Sequence, residues 1–271
     1  MSSARKAKGN EADESAPPWT LRPAVSVLAE ASIELDAETE GINTWAESAL
    51  HASLKSLLAR PGDRLEVSVD GRIVDLLRSG GECVEIQTKR LDKIAGKVLE
   101  LARSHPVRVV YPVIAQCSIV RLDPETGEVL SERKSPKRGD FWSVFDELVM
   151  APGLIAARNV TVEVLLVRTR ELRTRDAAWS WRRKGDRVLA RELVDVLESR
   201  ALKGRPAWLG LLPRDLEYPC DSSSLGEGLG IGADRARKLL YSLTRAGLLV
   251  ESGKKGRRKV YDRVRARGKG A

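Results

Sequence analysis

Cysteine is scarce and poorly placed for chemistry. The three in the chain, Cys83, Cys117 and Cys220, lie far apart and are odd in number. They form no CxxC pair, and the only two histidines are His51 and His105, so a structural zinc site has no ligand set. Buried, reduced thiols in a cytoplasmic protein are the expectation. Long apolar runs are also missing: the longest candidate, Val107 to Ala115, is interrupted by Arg108 and Pro112, which excludes a membrane span by length. Near the start, Arg5, Lys6 and Lys8 are followed by Glu11, Asp13 and Glu14 where a signal peptide needs apolar residues. No internal repeat is visible.

What is present is a soluble, globular composition, 42% hydrophobic and 31% charged over 271 residues, enough for one large domain or two ordinary ones. The net charge of +9 conceals an asymmetry. Up to Val167 there are 21 Lys+Arg against 25 Asp+Glu, a net of −4; the remainder holds 26 against 13, a net of +13. Solubility alone does not require that division, whereas a phosphate backbone does select for it.

Residues 1–40 mix Ser, Ala, Glu, Pro and Lys without a period and are expected to be a disordered tail. A helix is predicted from about Thr44 to Ala59, closed by Pro61-Gly62. Leu65, Val67 and Val69 alternate as in a half-buried strand, and Asp70-Gly71 signals a type I′ hairpin returning through Arg72 to Leu77. A third strand, Cys83 to Gln87, a helix carrying Leu91, Ile94, Val98 and Leu101, and a strand Val107 to Tyr111 form a right-handed βαβ crossover. A hairpin from Ser118 to Glu132, a helix from Phe141 to Val149 and a strand from Val160 to Val167 follow. A basic linker is expected over Arg168 to Lys184, carrying Trp179 and Trp181, and then helices at Arg187–Arg200 and Ser223–Leu229. A further helix runs from Asp234, read as its N-cap, to Ala246, with Gly247 closing it. Strands Leu248–Glu251 and Lys259–Asp262 complete a winged-helix layout.

Three carboxylates occupy positions that core segments usually give to apolar residues. Glu47 falls within the Leu50, Leu54, Leu57 and Leu58 stripe of the first helix, with His51 at its edge. Asp75 interrupts Ile73-Val74-Asp75-Leu76-Leu77. Glu85 and Gln87 share one face of the third strand. Buried carboxylates need a positive partner. A hard divalent cation, Mg²⁺ or Mn²⁺, meets that need and activates water for attack at phosphorus; an edge position or an ion pair with Lys97 or Arg108 is the alternative for each acid taken singly.

The order of a helix with Glu47, a hairpin with Asp75 and Glu85-Ile86-Gln87 before a helix resembles the PD-(D/E)XK nuclease superfamily. The closer resemblance is to an uncharacterised prokaryotic family of that kind with a winged helix appended. It covers about Thr44 to Tyr261, through Glu-Ile-Gln-Thr at 85–88, His105-Pro106-Val107 leading to Tyr111-Pro112, Arg133-Lys134-Ser135-Pro136-Lys137-Arg138-Gly139, and Trp181-Arg182-Arg183. The resemblance implies an α/β fold: a restriction-endonuclease-like αβββαβ core with a mixed sheet over 41–170, a basic linker over 171–186, and a mainly α winged-helix domain over 187–271. It also implies Asp75 and Glu85 as paired metal ligands, with Glu47 as the helix acid. Two positions depart from the pattern: Val74 replaces a proline, and Gln87 stands where the superfamily carries lysine. Glutamine orients a water but does not neutralise developing negative charge; Lys89 and Lys97 are the cations at hand.

Lys134, Lys137 and Arg138 are read as phosphate contacts beside the acidic cluster. In the last helix Ala236, Leu239, Leu240 and Leu243 make a packed face, and Arg235, Lys238, Ser242 and Arg245 the opposite one, as a helix entering a major groove requires. Lys254, Lys255, Arg257, Arg258 and Lys259 form a basic wing tip. Trp179, Trp181 and Trp208 are read as packing anchors. Two functions stay open. One is a metal-dependent DNA endonuclease with Glu47, Asp75, Glu85 and Gln87 in its site, acting on double-stranded DNA and compatible with a homodimer. The other is a DNA-binding regulator on the same fold without useful turnover.

Overall fold

Asp70 and Gly71 both adopt positive φ, 48° and 74°, as a type I′ turn requires. They close β1 (Arg64–Val69) antiparallel onto β2 (Arg72–Leu77). The computed structural model describes residues 43–175 and 186–264, with side chains from Ala49 onward, all within a unit spanning Thr39–Ala271. The hairpin follows α1 (Asn43–Leu58), and β2 pairs antiparallel with β3 (Cys83–Ile86). The chain then crosses through α2 (Leu91–Leu101) to β4 (Val107–Leu122), parallel to β3. This is the expected βαβ unit, whose strand pairing requires a crossover instead of a tight turn.

β4 is three times longer than its apolar run suggested. It turns through the Asp123 loop into β5 (Val129–Lys134), antiparallel to it, and pairs along its whole length, in parallel, with β6 (Val160–Thr174). β3 faces Val107–Val110 and β5 faces Ser118–Leu122, so both lie on the same edge of β4. Between them the edge of residues 111–117 is met by loop backbone: Ser135 N–H donates to Cys117 O and Gly139 N–H to Ile114 O, each at 2.8 Å. Among the described residues the sheet has seven strands in the order β1-β2-β3-β4-β6-β7, with β5 on β4. The architecture is mixed α/β.

The expected helix at Arg187–Arg200 is instead strand β7 (Arg187–Lys203), antiparallel to β6. Its misleading pattern has a physical cause. The register passes from Val167–Val196 to Arg168–Asp195 and then to Thr169–Leu193, which leaves Val194 extra; Leu197 is likewise extra before Leu166–Glu198. Such bulges shift the alternation by one, so Leu193 and Val196, three apart as on a helix, both pack against the α1 side. The bulged Val194 and Leu197 are 39% and 36% exposed. The expected linker also contracts, because Arg168 to Thr174 belong to β6. Trp179, Trp181 and the 1–40 segment lie outside the described residues.

α1 covers one face of the sheet through Leu50, Leu54 and Leu58, over Leu76, Val84, Ile86, Val110, Leu165 and Val167. The other face carries α2 and the segment expected as a helix at Phe141–Val149. That segment is a 3₁₀ turn, Phe141–Val144, capped reciprocally by Asp140 and Ser143, and then a single turn, α3 (Phe145–Leu148). α4 (Gly153–Ala156) follows. After β7 come α5 (Gly204–Leu209), α6 (Ser222–Leu229), capped by Asp221, and α7 (Ala233–Arg245), then the hairpin β8 (Leu249–Lys255) and β9 (Arg258–Arg263). The N-cap of α7 is Gly232, one residue outside the helix, and the expected cap Asp234 sits in the first turn. Gly247, at φ 72°, follows the helix end as expected.

Candidate functional site

β2 and β3 part at the acid pair. Their pairing runs through Leu77–Cys83 and Leu76–Val84 and stops; the next residues on the two strands are Asp75 and Glu85. There Asp75 Oδ2 accepts the Ile86 N–H at 2.8 Å, so a side chain replaces the backbone acceptor that β2 would have supplied. On the other side of β2, the register from Leu65–Leu76 to Val67–Val74 skips Glu66, which adopts the left-handed φ of 48°. Both neighbours of β2 are therefore distorted at the level of Asp75.

Each acid is met by nitrogen donors from a different helix. His51 and Lys55, one turn apart on α1, address Asp75: His51 Nε2 donates to Oδ1 at 3.1 Å, and Lys55 Nζ lies 3.7 Å from the same oxygen while donating to Glu66 at 2.6 Å. Lys97 of α2 holds Glu85 Oε2 at 2.7 Å and donates to Ile73 O, also at 2.7 Å. Glu85 is only 3% exposed, and its Oε1 is buried with no partner among the described residues. The two carboxyls respond in opposite directions. Burial pushes Asp75 up, but the His51 hydrogen bond, the Ile86 N–H and the nearby charges outweigh it and hold the group below its usual range. For Glu85 burial wins over Lys97, and the charge of Asp75 adds to it, so the group sits above its usual range.

Gln87 follows the last residue of β3 and its N–H continues the sheet to Val110 O at 2.9 Å. Its side-chain amide donates to Lys89 O, which leaves Oε1 as an acceptor. Glu47 lies on α1, where its side chain is outside the described residues. Among the described residues no three His, Cys, Asp or Glu side chains converge; the structure brings together Asp75 and Glu85. His51, Lys55 and Lys97 complete the surroundings. Of these, Lys55 was legible only as the residue one helical turn after His51.

The basic residues divide differently from the sequence pattern. Lys134, at the end of β5, and Lys137 and Arg138 are exposed, the latter two on a loop pinned by Gly139, where an added Cβ would approach Val113 Cγ1 to 2.5 Å and Ile114 O to 2.9 Å. On α7, Ser242 does not face outward: it is 0% exposed and donates to Lys238 O at 2.8 Å. Arg235 and Lys238 turn towards the sheet domain, pairing with Asp140 and Asp146 at 2.8 Å each. The outward ridge is Arg237, Tyr241 and Arg245, at i, i+4 and i+8, of which only Arg245 was expected. On the β8–β9 hairpin Lys254, Lys255 and Arg257 are exposed, whereas Arg258 reaches back to Ser223 at 2.7 Å and Asp221 at 3.2 Å, and Lys259 to Glu251 at 2.8 Å.

Among the described residues no helix is long and apolar enough to cross a membrane. No solved structure matches the chain. It is similar to an uncharacterised protein of Treponema pallidum (strain Nichols), 30% identical over 221 residues, which covers 81% of this chain and 86% of that protein. A family model described as a domain of unknown function, DUF8091, matches residues 48–203, from α1 to the last residue of β7. The acid pair and the whole large sheet lie inside those bounds, and the chain therefore belongs to the DUF8091 family.

Proposed function

We propose that the chain is a metal-dependent DNA endonuclease, in which a restriction-endonuclease-like αβββαβ core hydrolyses phosphodiester bonds and a winged-helix arrangement of α5–α7 and β8–β9 holds the duplex. The observation that carries this reading is the Asp75–Glu85 pair. Two carboxylates stand where two strands part, close enough for the charge of Asp75 to act on Glu85, their proton affinities move in opposite directions, and one buried oxygen has no partner. Pairs separated in this way are a mark of acid–base sites. The order α1-β1-β2-β3-α2-β4 supports the core.

The donor set fits a hard cation. Mg²⁺ takes one or two carboxylates and keeps its remaining positions for water and phosphate; Asp75 and Glu85 supply that number, and Glu85 Oε1 offers an unused lone pair. When bound, such an ion supplies Lewis acidity and lowers the pKa of water. The chain's own residues do the rest. Lys97, fixed by Glu85 and Ile73 O, presents the positive charge that Gln87 lacks. Gln87 Oε1 accepts a hydrogen bond from water, and Lys55 offsets the repulsion between Asp75 and an anionic substrate.

A plasmid nicking assay with Mg²⁺ or Mn²⁺ tests this. Wild type is expected to nick, with Asp75→Asn, Glu85→Gln and Lys97→Ala each losing about 100-fold or more, as removal of a charge-stabilising group does. Nicking that survives Asp75→Asn and Glu85→Gln would overturn the assignment. A second reading, a DNA-binding regulator, is favoured by one observation: each carboxylate already has a lysine beside it. Intact duplex binding without nicking in either metal would select it.

A further inference from the structure

The loop after β5, the end of β7 and the inner side of α7 meet around Asp140 and Phe141, and sequence gives no hint that they do. Arg235 of α7 donates from one guanidinium nitrogen to both Asp140 oxygens, at 3.0 and 2.8 Å. Lys238 holds Asp146 at 2.8 Å and Asp234 at 3.2 Å. Arg200 of β7 lies over the Phe141 ring at 4.3 Å, beside Glu198 at 3.5 Å. Three and two residues before Asp140, on the loop anchored by Gly139, stand Lys137 and Arg138, which among the described residues have no ion-pair partner. The side chains of Arg200, Arg235 and Lys238 remain 45%, 32% and 34% exposed, so the cluster is open to solvent.

We propose that this seam is a single phosphate-binding surface for duplex DNA, formed by Lys137, Arg138, Arg200, Arg235 and Lys238, in which Asp140 and Asp146 occupy the places phosphates take on binding. The proposal rests on the DNA reading above and adds to it a contact surface between sheet and C-terminal helices. Arginine forks and exposed ammonium groups suit phosphate oxygens. Single carboxylates hold those cations in position until a polyanion, which presents many phosphates at once and releases condensed counterions, displaces them. Because α7 is packed against α3 through an apolar core that includes Phe145, Leu239 and Leu243, Arg235 and Lys238 are held beside Asp140 and Asp146, next to Arg200 over Phe141, without dependence on a flexible tether.

The test is duplex binding by the full chain, in EDTA, as a function of salt. Arg138→Ala and Arg200→Ala are each expected to reduce the slope of log K against log salt by about one. Asp140→Asn, which keeps the capping function because Asn also caps, and Asp146→Asn are expected to raise affinity several-fold. Circular dichroism and melting temperature verify that each variant is folded. If the Arg138→Ala/Arg200→Ala double variant keeps the wild-type slope while Lys254→Ala/Lys255→Ala loses binding, the seam is excluded and the DNA reading stands. If wild type does not bind duplex at all, both fail. Loss of affinity in Asp140→Asn with the fold intact also excludes the seam.

Discussion

Asp75 and Glu85 each lie one residue beyond the last β2–β3 pair, yet their proton equilibria shift in opposite directions because their surroundings differ. Asp75 accepts from His51 and the Ile86 N–H; Glu85 has one lysine and one orphan oxygen. The signs give a pH prediction. Asp75, held below its ordinary 3.8, contributes stability that is present above that value and is lost as pH falls through the folded-state value. Glu85, pushed above its ordinary 4.5, favours the fold below 4.5 and ceases to as pH rises through its folded-state value. Glu85→Gln, which removes the buried charge, should therefore raise the melting temperature at pH 7 relative to wild type. Asp75→Asn should lower it at pH 7 and flatten the acid limb of the stability curve. Thermal denaturation from pH 2 to pH 8 measures both; equal and same-signed changes would contradict the assignment of the two environments.

At the scale of elements, β7 is the most instructive. Its apolar residues read as a helix because two bulges imitate a three-residue period. The energetic consequence is specific. Val194 and Leu197 are the extra residues and point outward, whereas Leu193 and Val196 pack under α1. Val194→Ser and Leu197→Ser are expected within about 0.5 kcal/mol of wild type, and Leu193→Ala to cost roughly 2 kcal/mol. Urea denaturation of the four single variants, Val196→Ala included, separates the two patterns. A large cost at Leu197 would be the result a helix predicts.

For the whole described unit, the apolar core does not stop where the composition changes. Trp208 of α5 is 1% exposed and meets Phe145 of α3 edge-on at 6.3 Å. Leu154, Leu202, Leu212, Leu239 and Leu243 belong to the same buried cluster as Val74 and Val98. Sheet and C-terminal helices should thus unfold together. Calorimetry is expected to give one transition for this unit, lowered by about 3–5 kcal/mol of stability in Trp208→Ala; two well-separated transitions would show that the C-terminal helices form an independent domain.

Local chemistry was legible in the chain. The Asp70-Gly71 turn, the β3-α2-β4 crossover and the two acids among apolar neighbours depend on nearest-neighbour sterics and on periods of two and 3.6, which sequence carries directly. Glu85 stood out because a carboxylate on a buried strand is costly wherever it ends up. What sequence could not decide is which distant group meets which. The identity of β7 rests on its ladder to β6, and the burial of Ser242 on the side of α7 that the other elements cover. Lys55 and Lys97 reach the acids from helices on opposite faces of the sheet, and Arg200 and Arg235 converge on Asp140 and Phe141 from elements far apart in the chain. Through-space pairing follows the packing of whole layers, so only the tertiary structure sets it.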